Sequence, residues 1–197
     1  QRKESEERDW QYRQNTLWLS NSALKLMKLS SEEDIYQYIG ESLSKKIDQA
    51  IIIINEIHED DKVVIPRYIY GLEHHLFGRL IKILGVNPIG RQYPLSEPLK
   101  QMYRKQKIES FPGGLRDFGQ KLHNDSLLEK IEKTINLKKI YTVGLNRENR
   151  LLAAIHILKF NQHEIRNLPF VETFLNQASI ALQRRILENE LRLAKEK

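Results

Sequence analysis

The end of the chain carries the feature that most constrains the fold, a helical run with two separate apolar stripes. A helix is predicted from roughly Glu164 to Ala194, because apolar residues recur there at steps of three and four. A helix with two stripes needs two partners, and we expect these to be the domain's own sheet and the same helix of a second copy. The inner stripe is Leu168, Val171, Leu175, Ala178 and Leu182, and the outer stripe is Ile180, Leu187, Leu191 and Ala194.

The start of the chain predicts a second helical seam. Residues 1 to 30 form one predicted helix, and Trp10, Leu17 and Leu24 recur along it at a spacing of seven. Together with Ile180, Leu187 and Leu191 of the last helix, these three residues are the candidates for a dimer interface.

Between the two terminal helices the sequence alternates between helical and strand patterns. The predicted order is a helix, a hairpin, an irregular helical insert and a second hairpin, which is typical of an α+β domain with a mainly antiparallel sheet. Pro66 lies inside the second strand, which predicts an edge strand or a bulge. The predicted elements are a helix through Ile35–Ile47 with Ser31 as cap and Asp34 as its capping-box partner, strands Ala50–Ile57 and Lys62–Tyr70 joined by a turn at Glu59–Asp61, helices Glu73–Leu84 and Glu97–Lys107, a short strand near Arg91–Leu95, a break at Phe111–Gly114, short helices over 115–135, and strands Lys139–Leu145 and Leu151–Phe160 joined by a turn at Asn146–Asn149.

Composition excludes several classes of site. The chain has no cysteine, which rules out disulfides, thiolate metal sites and thioether-linked cofactors. The net charge of +6 resides between Arg67 and Lys121, but no nucleic-acid motif accompanies it, so we expect a solvated basic face. The longest apolar run, Ala50–Ile54, is too short to span a bilayer. We find no spacing typical of a catalytic or metal site and expect neither an enzyme nor direct membrane contact from this chain.

The last third of the chain resembles the GAF family. Lys139–Leu145 and Arg150–Leu158 look like the closing hairpin of a GAF sheet, and Phe174–Arg185 looks like the C-terminal helix of GAF modules in histidine kinases. The resemblance covers residues 16 to 187. It implies an antiparallel sheet of five or six strands, terminal helices packed on one face and a ligand pocket on the other.

The resemblance also implies a place in a larger protein. Residues 1–15 are similar to the linker that leaves a PAS domain, and residues 188–197 look like a helix entering an output domain. The implied function is a cytoplasmic sensory module of a histidine kinase that relays signals through dimeric terminal helices. The alternative is a structural dimerisation domain whose pocket is vestigial.

Departures from the family limit the cofactor. The Asn-Lys-Phe-Asp-Glu set of cyclic-nucleotide GAF domains is not present, and neither is the cysteine that attaches bilins in phytochromes. His156 shares a strand face with Leu152, Ala154 and Leu158. It is interpreted as a satisfied core or interface histidine, with an axial haem ligand as the alternative. No cofactor is otherwise expected.

Tyrosines and arginines define the predicted ligand pocket. Tyr68 and Tyr70 share one face of the second strand, from which Arg67 points away, and the family geometry brings residues of the insert nearby. Such a pocket favours a small anionic or aromatic ligand. The candidates are Tyr68, Tyr70, Arg91, Tyr93, Arg116 and His156.

Overall fold

The computed structural model describes residues 2–30, 32–58, 60, 62–118 and 124–196. The predicted cap at Ser31, two residues of the predicted turn at Glu59–Asp61 and part of the helical stretch over 115–135 lie outside these ranges. The helices are Arg2–Lys28 (α1), Ile35–Lys46 (α2), His74–Leu84 (α3), Glu97–Arg104 (α4), Leu115–Phe118 (α5), Asp125–Ile135 (α6) and Leu168–Lys195 (α7). The strands are Ala50–His58 (β1), Val63–Tyr70 (β2), Tyr93–Pro94 (β3), Glu109–Phe111 (β4), Lys139–Arg147 (β5) and Arg150–Lys159 (β6).

The six strands form one antiparallel sheet in the order β3-β2-β1-β6-β5-β4. The predicted α+β class and both predicted hairpins are confirmed. Strand β4 was not predicted, because three residues before a Pro-Gly-Gly break are too few to show an alternating pattern. The turn between β5 and β6 is tighter than predicted, since only Glu148 and Asn149 leave the ladder, with φ of 48° and 65°.

A bulge in β2 accounts for Pro66. Ile54 pairs with Tyr68, whereas the next residue, Asn55, pairs with Pro66, so Arg67 is an extra residue on β2. Of the two predicted alternatives for this proline, the structure shows the bulge. The extra residue shifts the alternation of β2, so that Tyr68 and Tyr70 point to the opposite face from Pro66.

The first face of the sheet is covered by α1, α2 and α7, as the resemblance implied. Ile39 of α2 and Val171 and Phe174 of α7 are fully buried against Ile52 and Ile54 of β1. Each such side chain contributes about 1.5–3 kcal/mol of transfer free energy on burial.

Helices α1 and α7 run parallel to each other. The Tyr12 and Phe170 rings lie 5.5 Å apart edge to face, and further along both helices Arg184 Nη2 donates to the Leu26 carbonyl at 3.4 Å. Because both pairs advance in the same direction along the two helices, α1 and α7 point the same way.

Two predicted helix starts are corrected. Helix α2 begins at Ile35 because Asp34 is its N-cap, accepting from the backbone N–H of Tyr36 at 2.8 Å, so Asp34 is not the inner partner of a capping box. Helix α7 begins at Leu168 rather than Glu164, because Asn167 adopts a left-handed conformation with φ of 56°.

The second face of the sheet is covered by the insert between the two hairpins. Helices α3 and α6 bury Leu80, Leu128 and Ile131 over Ile51 of β1 and Leu158 of β6. The sheet therefore lies between two helical layers, and each layer has its own apolar core.

Candidate ligand-binding cavity

A cavity of about 240 Å³ lies between the sheet and the insert, on the face opposite the terminal helices. Ile51, Ile53 and Asn55 of β1 form part of its floor, and Leu80 and Leu128 form part of its roof. Among the described residues, no Lys, Arg, Asp or Glu side chain lines it. The cavity is therefore an apolar compartment with few polar groups, as ligand sites in proteins commonly are.

Three polar side chains form one end of the cavity. The Tyr103 hydroxyl and His156 Nε2 are 2.8 Å apart, and the two rings stack with centroids 5.9 Å apart. On the other side of the imidazole, Asn55 Nδ2 lies 3.3 Å from His156 Nδ1. The same Asn55 Nδ2 donates to the Ala154 carbonyl at 3.1 Å, which fixes the orientation of the amide.

Burial keeps this polar end uncharged. His156 is 6% exposed, and burial lowers its pKa to about 3. Burial also raises the pKa of Tyr103 well above its ordinary value. Since the amide nitrogen of Asn55 is a donor, the neutral imidazole accepts at Nδ1 and carries its proton on Nε2, which donates to the Tyr103 oxygen.

The cavity brings together two of the six predicted pocket residues, Tyr93 and His156. Tyr68 and Tyr70 lie on the other face, where the Tyr68 hydroxyl donates to Asp34 at 2.8 Å and the Tyr70 hydroxyl donates to the Gln37 carbonyl at 3.2 Å. Their predicted place beside the cavity is corrected, and the bulge in β2 is the physical reason.

The predicted arginines also lie away from the cavity. Arg91 is exposed, and Arg116 is exposed and paired with Asp125 at 3.1 Å. Arg67 does not point away from the tyrosines as predicted, because the bulge places it beside Glu56, at 3.1 Å. These positions supply no positive charge to the cavity.

Sequence reasoning missed Asn55 and Tyr103. Asn55 is 1% exposed and interrupts the apolar run of β1, so a lone polar residue in a buried strand was the available signal. Tyr103 is 1% exposed and lies on α4, whose contact with the sheet no sequence pattern indicated.

Two wider grooves offer weaker candidates. The larger, of about 710 Å³, contains Glu56, Arg150 and Glu190, but Glu56 pairs with Arg67 and Arg150 pairs with Glu190 at 2.9 Å. The other, of about 510 Å³, lies between α7, β5 and residues 105–107, which follow α4. In the described ranges no cluster of three or more His, Asp or Glu side chains could hold a metal ion.

His156 is poorly placed for the haem alternative. Both of its ring nitrogens already lie within hydrogen-bond distance of Asn55 and Tyr103. The cavity of about 240 Å³ is also smaller than the 300–1,000 Å³ that is common for drug-sized ligands.

The predicted dimer residues all lie on the surface. Trp10, Leu17 and Leu24 of α1 point away from the domain, and their exposed fractions are 58%, 54% and 50%. Ile180, Leu187 and Leu191 of α7 are 50% to 57% exposed. No helix in the described part of the chain is long and apolar enough to cross a membrane.

Solved structures with a similar architecture include GAF domains. The GAF domain of an Acinetobacter phosphoenolpyruvate-protein phosphotransferase matches with a TM-score of 0.57 and 10% identity, over 90% of this chain and 98% of that one. The GAF domain of a two-component sensor histidine kinase from Bacillus halodurans matches with a TM-score of 0.54 and 14% identity, over 79% and 96%. The phycocyanobilin-bound GAF domain of a cyanobacterial phytochrome matches with a TM-score of 0.57 and 11% identity, over 88% and 96%.

These similarities define the fold class. No protein-family model matches the chain, and no curated protein matches its sequence. The structural matches nevertheless extend over 79% to 90% of this chain and at least 96% of each GAF domain, and the chain has the GAF fold.

Proposed function

We propose that this chain is the sensory module of a signal-transduction protein and relays signals through a dimer of its terminal helices. The observation that carries the proposal is the outer apolar stripe on two parallel helices, α1 and α7, which cover the sheet face opposite the cavity. Half-exposed Trp, Leu and Ile side chains repeated along a helix are typical of a surface that another helix covers.

The exposure pattern supports helical linkers at both ends. Residues 3–14 of α1 are exposed throughout, and Asn15, the next residue, is buried. Residues 187–196 of α7 are likewise exposed throughout. We therefore propose that residues 1–15 lead in from an upstream PAS-like domain and that residues 188–197 lead to an output domain.

The output domain proposed here is a histidine kinase in the cytoplasm, and the chain itself performs no catalysis. One solved structure of the same fold comes from a two-component sensor histidine kinase, which supports this choice by fold alone. In such an arrangement, a ligand or an upstream domain would bias one packing of the terminal helices over another.

Replacing Leu187 and Leu191 together by Asp tests the dimer. A carboxylate in an apolar helical interface loses its water without gaining a partner, so we expect the double variant to be monomeric and the wild type dimeric in light scattering. Leu193→Asp is the matched control, because Leu193 is 56% exposed on another side of the same helix.

The proposal fails if the wild-type chain is monomeric at every concentration, or if the double variant dimerises as the wild type does. Circular dichroism of both variants checks that the helix itself is retained. A dimer that never changes its hydrogen exchange with any added molecule would favour the alternative, a structural dimerisation domain with a vestigial pocket.

A further inference from the structure

We propose that the cavity binds a small, uncharged and mainly apolar molecule that donates one hydrogen bond to Asn55. This inference rests on the proposed sensory function and specifies the ligand of that module. It narrows the anionic or aromatic ligand expected from the sequence to an uncharged one, because Arg91 and Arg116, on which the anionic expectation depended, lie away from the cavity.

The charge of the ligand follows from the lining. Among the described residues that line the cavity, none carries a full charge at neutral pH, since burial holds the pKa of His156 at about 3. An anion entering this compartment would lose its hydration and find no cation, which costs several kcal/mol in most proteins. A neutral molecule avoids that cost.

The single polar contact follows from how Asn55 is bonded. In the ranges that the structure describes, the side-chain hydrogen bonds of Asn55 all leave from Nδ2, towards the carbonyls of Ile53 and Ala154 and towards His156. These contacts hold the amide plane and leave Oδ1 as an acceptor on a residue that lines the cavity. A hydroxyl or N–H of the ligand is the complementary group.

The size of the ligand follows from the volume. A cavity of about 150 Å³ lined by aliphatic and aromatic side chains accommodates benzene, and drug-sized ligands occupy about 300 Å³ or more. At about 240 Å³, the cavity suits a molecule with one ring, with two fused rings or with a short branched chain.

Three fluorescent probes that share the naphthalene ring system test the inference on the wild-type protein. Naphthalene has no polar group, 2-naphthol has one neutral donor, and 2-naphthoate carries a charge at pH 7. We expect 2-naphthol to bind about tenfold more tightly than naphthalene and 2-naphthoate to bind at least about tenfold more weakly than 2-naphthol. Equal affinity for 2-naphthoate and 2-naphthol, or no binding of any probe, overturns the inference.

Two substitutions then locate the site. Asn55→Leu, which keeps the branched skeleton of the side chain but has no hydrogen-bonding group, should remove the preference for 2-naphthol over naphthalene while naphthalene still binds. Ile53→Trp should weaken both probes, because Ile53 lies on the cavity floor. If both variants bind all three probes as the wild type does, the probes bind elsewhere and the inference is wrong; if a variant does not fold, the wild-type ranking alone decides.

The dimer proposal and the ligand inference can fail separately. Leu187 and Leu191 lie outside the cavity, so the double Asp variant should retain the wild-type affinity for 2-naphthol. A monomeric wild type with the expected ranking would end the dimer proposal and leave the ligand class standing. A stable dimer with the wrong ranking would do the reverse.

Discussion

The imidazole of His156 connects the acid stability of the domain to its cavity. Its ring lies between Tyr103 and Asn55, 6% exposed, and burial lowers its pKa from 6.5 to about 3. The unfolded chain therefore binds a proton at this residue below pH 6.5, whereas the folded chain does not. The contribution of His156 to the free energy of unfolding is fully present above pH 6.5 and is lost as the pH falls towards 3.

A His156→Gln variant tests this residue-level dependence. Between pH 6.5 and pH 5, the free energy of unfolding of the wild type should fall by about 2 kcal/mol more than that of the variant, at about 1.4 kcal/mol per pH unit. Urea unfolding at the two pH values measures the difference. Parallel losses in both proteins would show that His156 is protonated in the folded state.

Residue identity alone predicted part of the cavity. Alternation along β6 predicted that His156 shares a face with Leu152 and Leu158, but Leu152 is an extra residue in the ladder and packs in the core on the other face. His156 and Tyr93 both line the cavity, and their role in ligand binding stays a prediction. Asn55 escaped notice because an isolated amide in an apolar run has no spacing to recognise. The partner of His156 also escaped notice, because Tyr103 is 53 residues away in sequence.

At the scale of elements, local patterns predicted the order of helices and strands but not the register of β2. Pro66 indicated a bulge or an edge, yet neither choice by itself tells which residue is extra. In the structure Arg67 is the extra residue, and Tyr68 and Tyr70 therefore point to the layer formed by α1, α2 and α7. The extra residue in β2 thus reversed the face of two predicted pocket side chains.

Another element-level contact joins α7 to the loop between α1 and α2. Arg185 donates to the carbonyls of Leu29 at 3.2 Å, Ser30 at 2.6 Å and Glu33 at 3.5 Å. These carbonyls follow the C-terminus of α1, where backbone acceptors lack helical partners. A guanidinium group is well suited to them because it presents several donors in one plane.

Removing the contact of Arg185 should weaken the packing of α7 against the loop between α1 and α2. We expect Arg185→Ala to lower the free energy of unfolding by about 1–2 kcal/mol, and Arg185→Lys to lower it by less. Arg192→Ala is the control, because Arg192 is exposed on the same helix. Urea unfolding gives the energies, and faster amide exchange in residues 29–37 would locate the effect; equal stability of the Arg185 and Arg192 variants would contradict it.

At the scale of the whole molecule, the absence of cysteine allows a direct test of the dimer geometry. In a two-fold parallel bundle, residues near the axis lie beside their own copies. Single variants Leu17→Cys and Leu187→Cys should therefore form disulfide-linked dimers under mild oxidation, about tenfold or more faster than Lys82→Cys. Lys82 is an exposed residue of α3 on the far side of the sheet.

If neither cysteine on the terminal helices links faster than the one on α3, the two copies do not meet along this stripe.

The antiparallel sheet and its helical layers were predictable from periodicity, because both depend on local apolar spacing. An assembly of copies is not a local property, and in the described part of the chain the exposed outer stripe of α1 and α7 is the feature that suggests it.

Strand β1 has a mechanical consequence for a domain with a cavity on one side and helices on the other. Ile53 lines the cavity, and its neighbours Ile52 and Ile54 pack in the core beneath the terminal helices, although all three share one stretch of backbone. A ligand that displaced Ile53 would therefore act on Ile52 and Ile54 through their shared backbone, without intervening side chains. If the cavity binds a ligand, one strand of backbone is all that separates that ligand from the helix-facing side of the sheet.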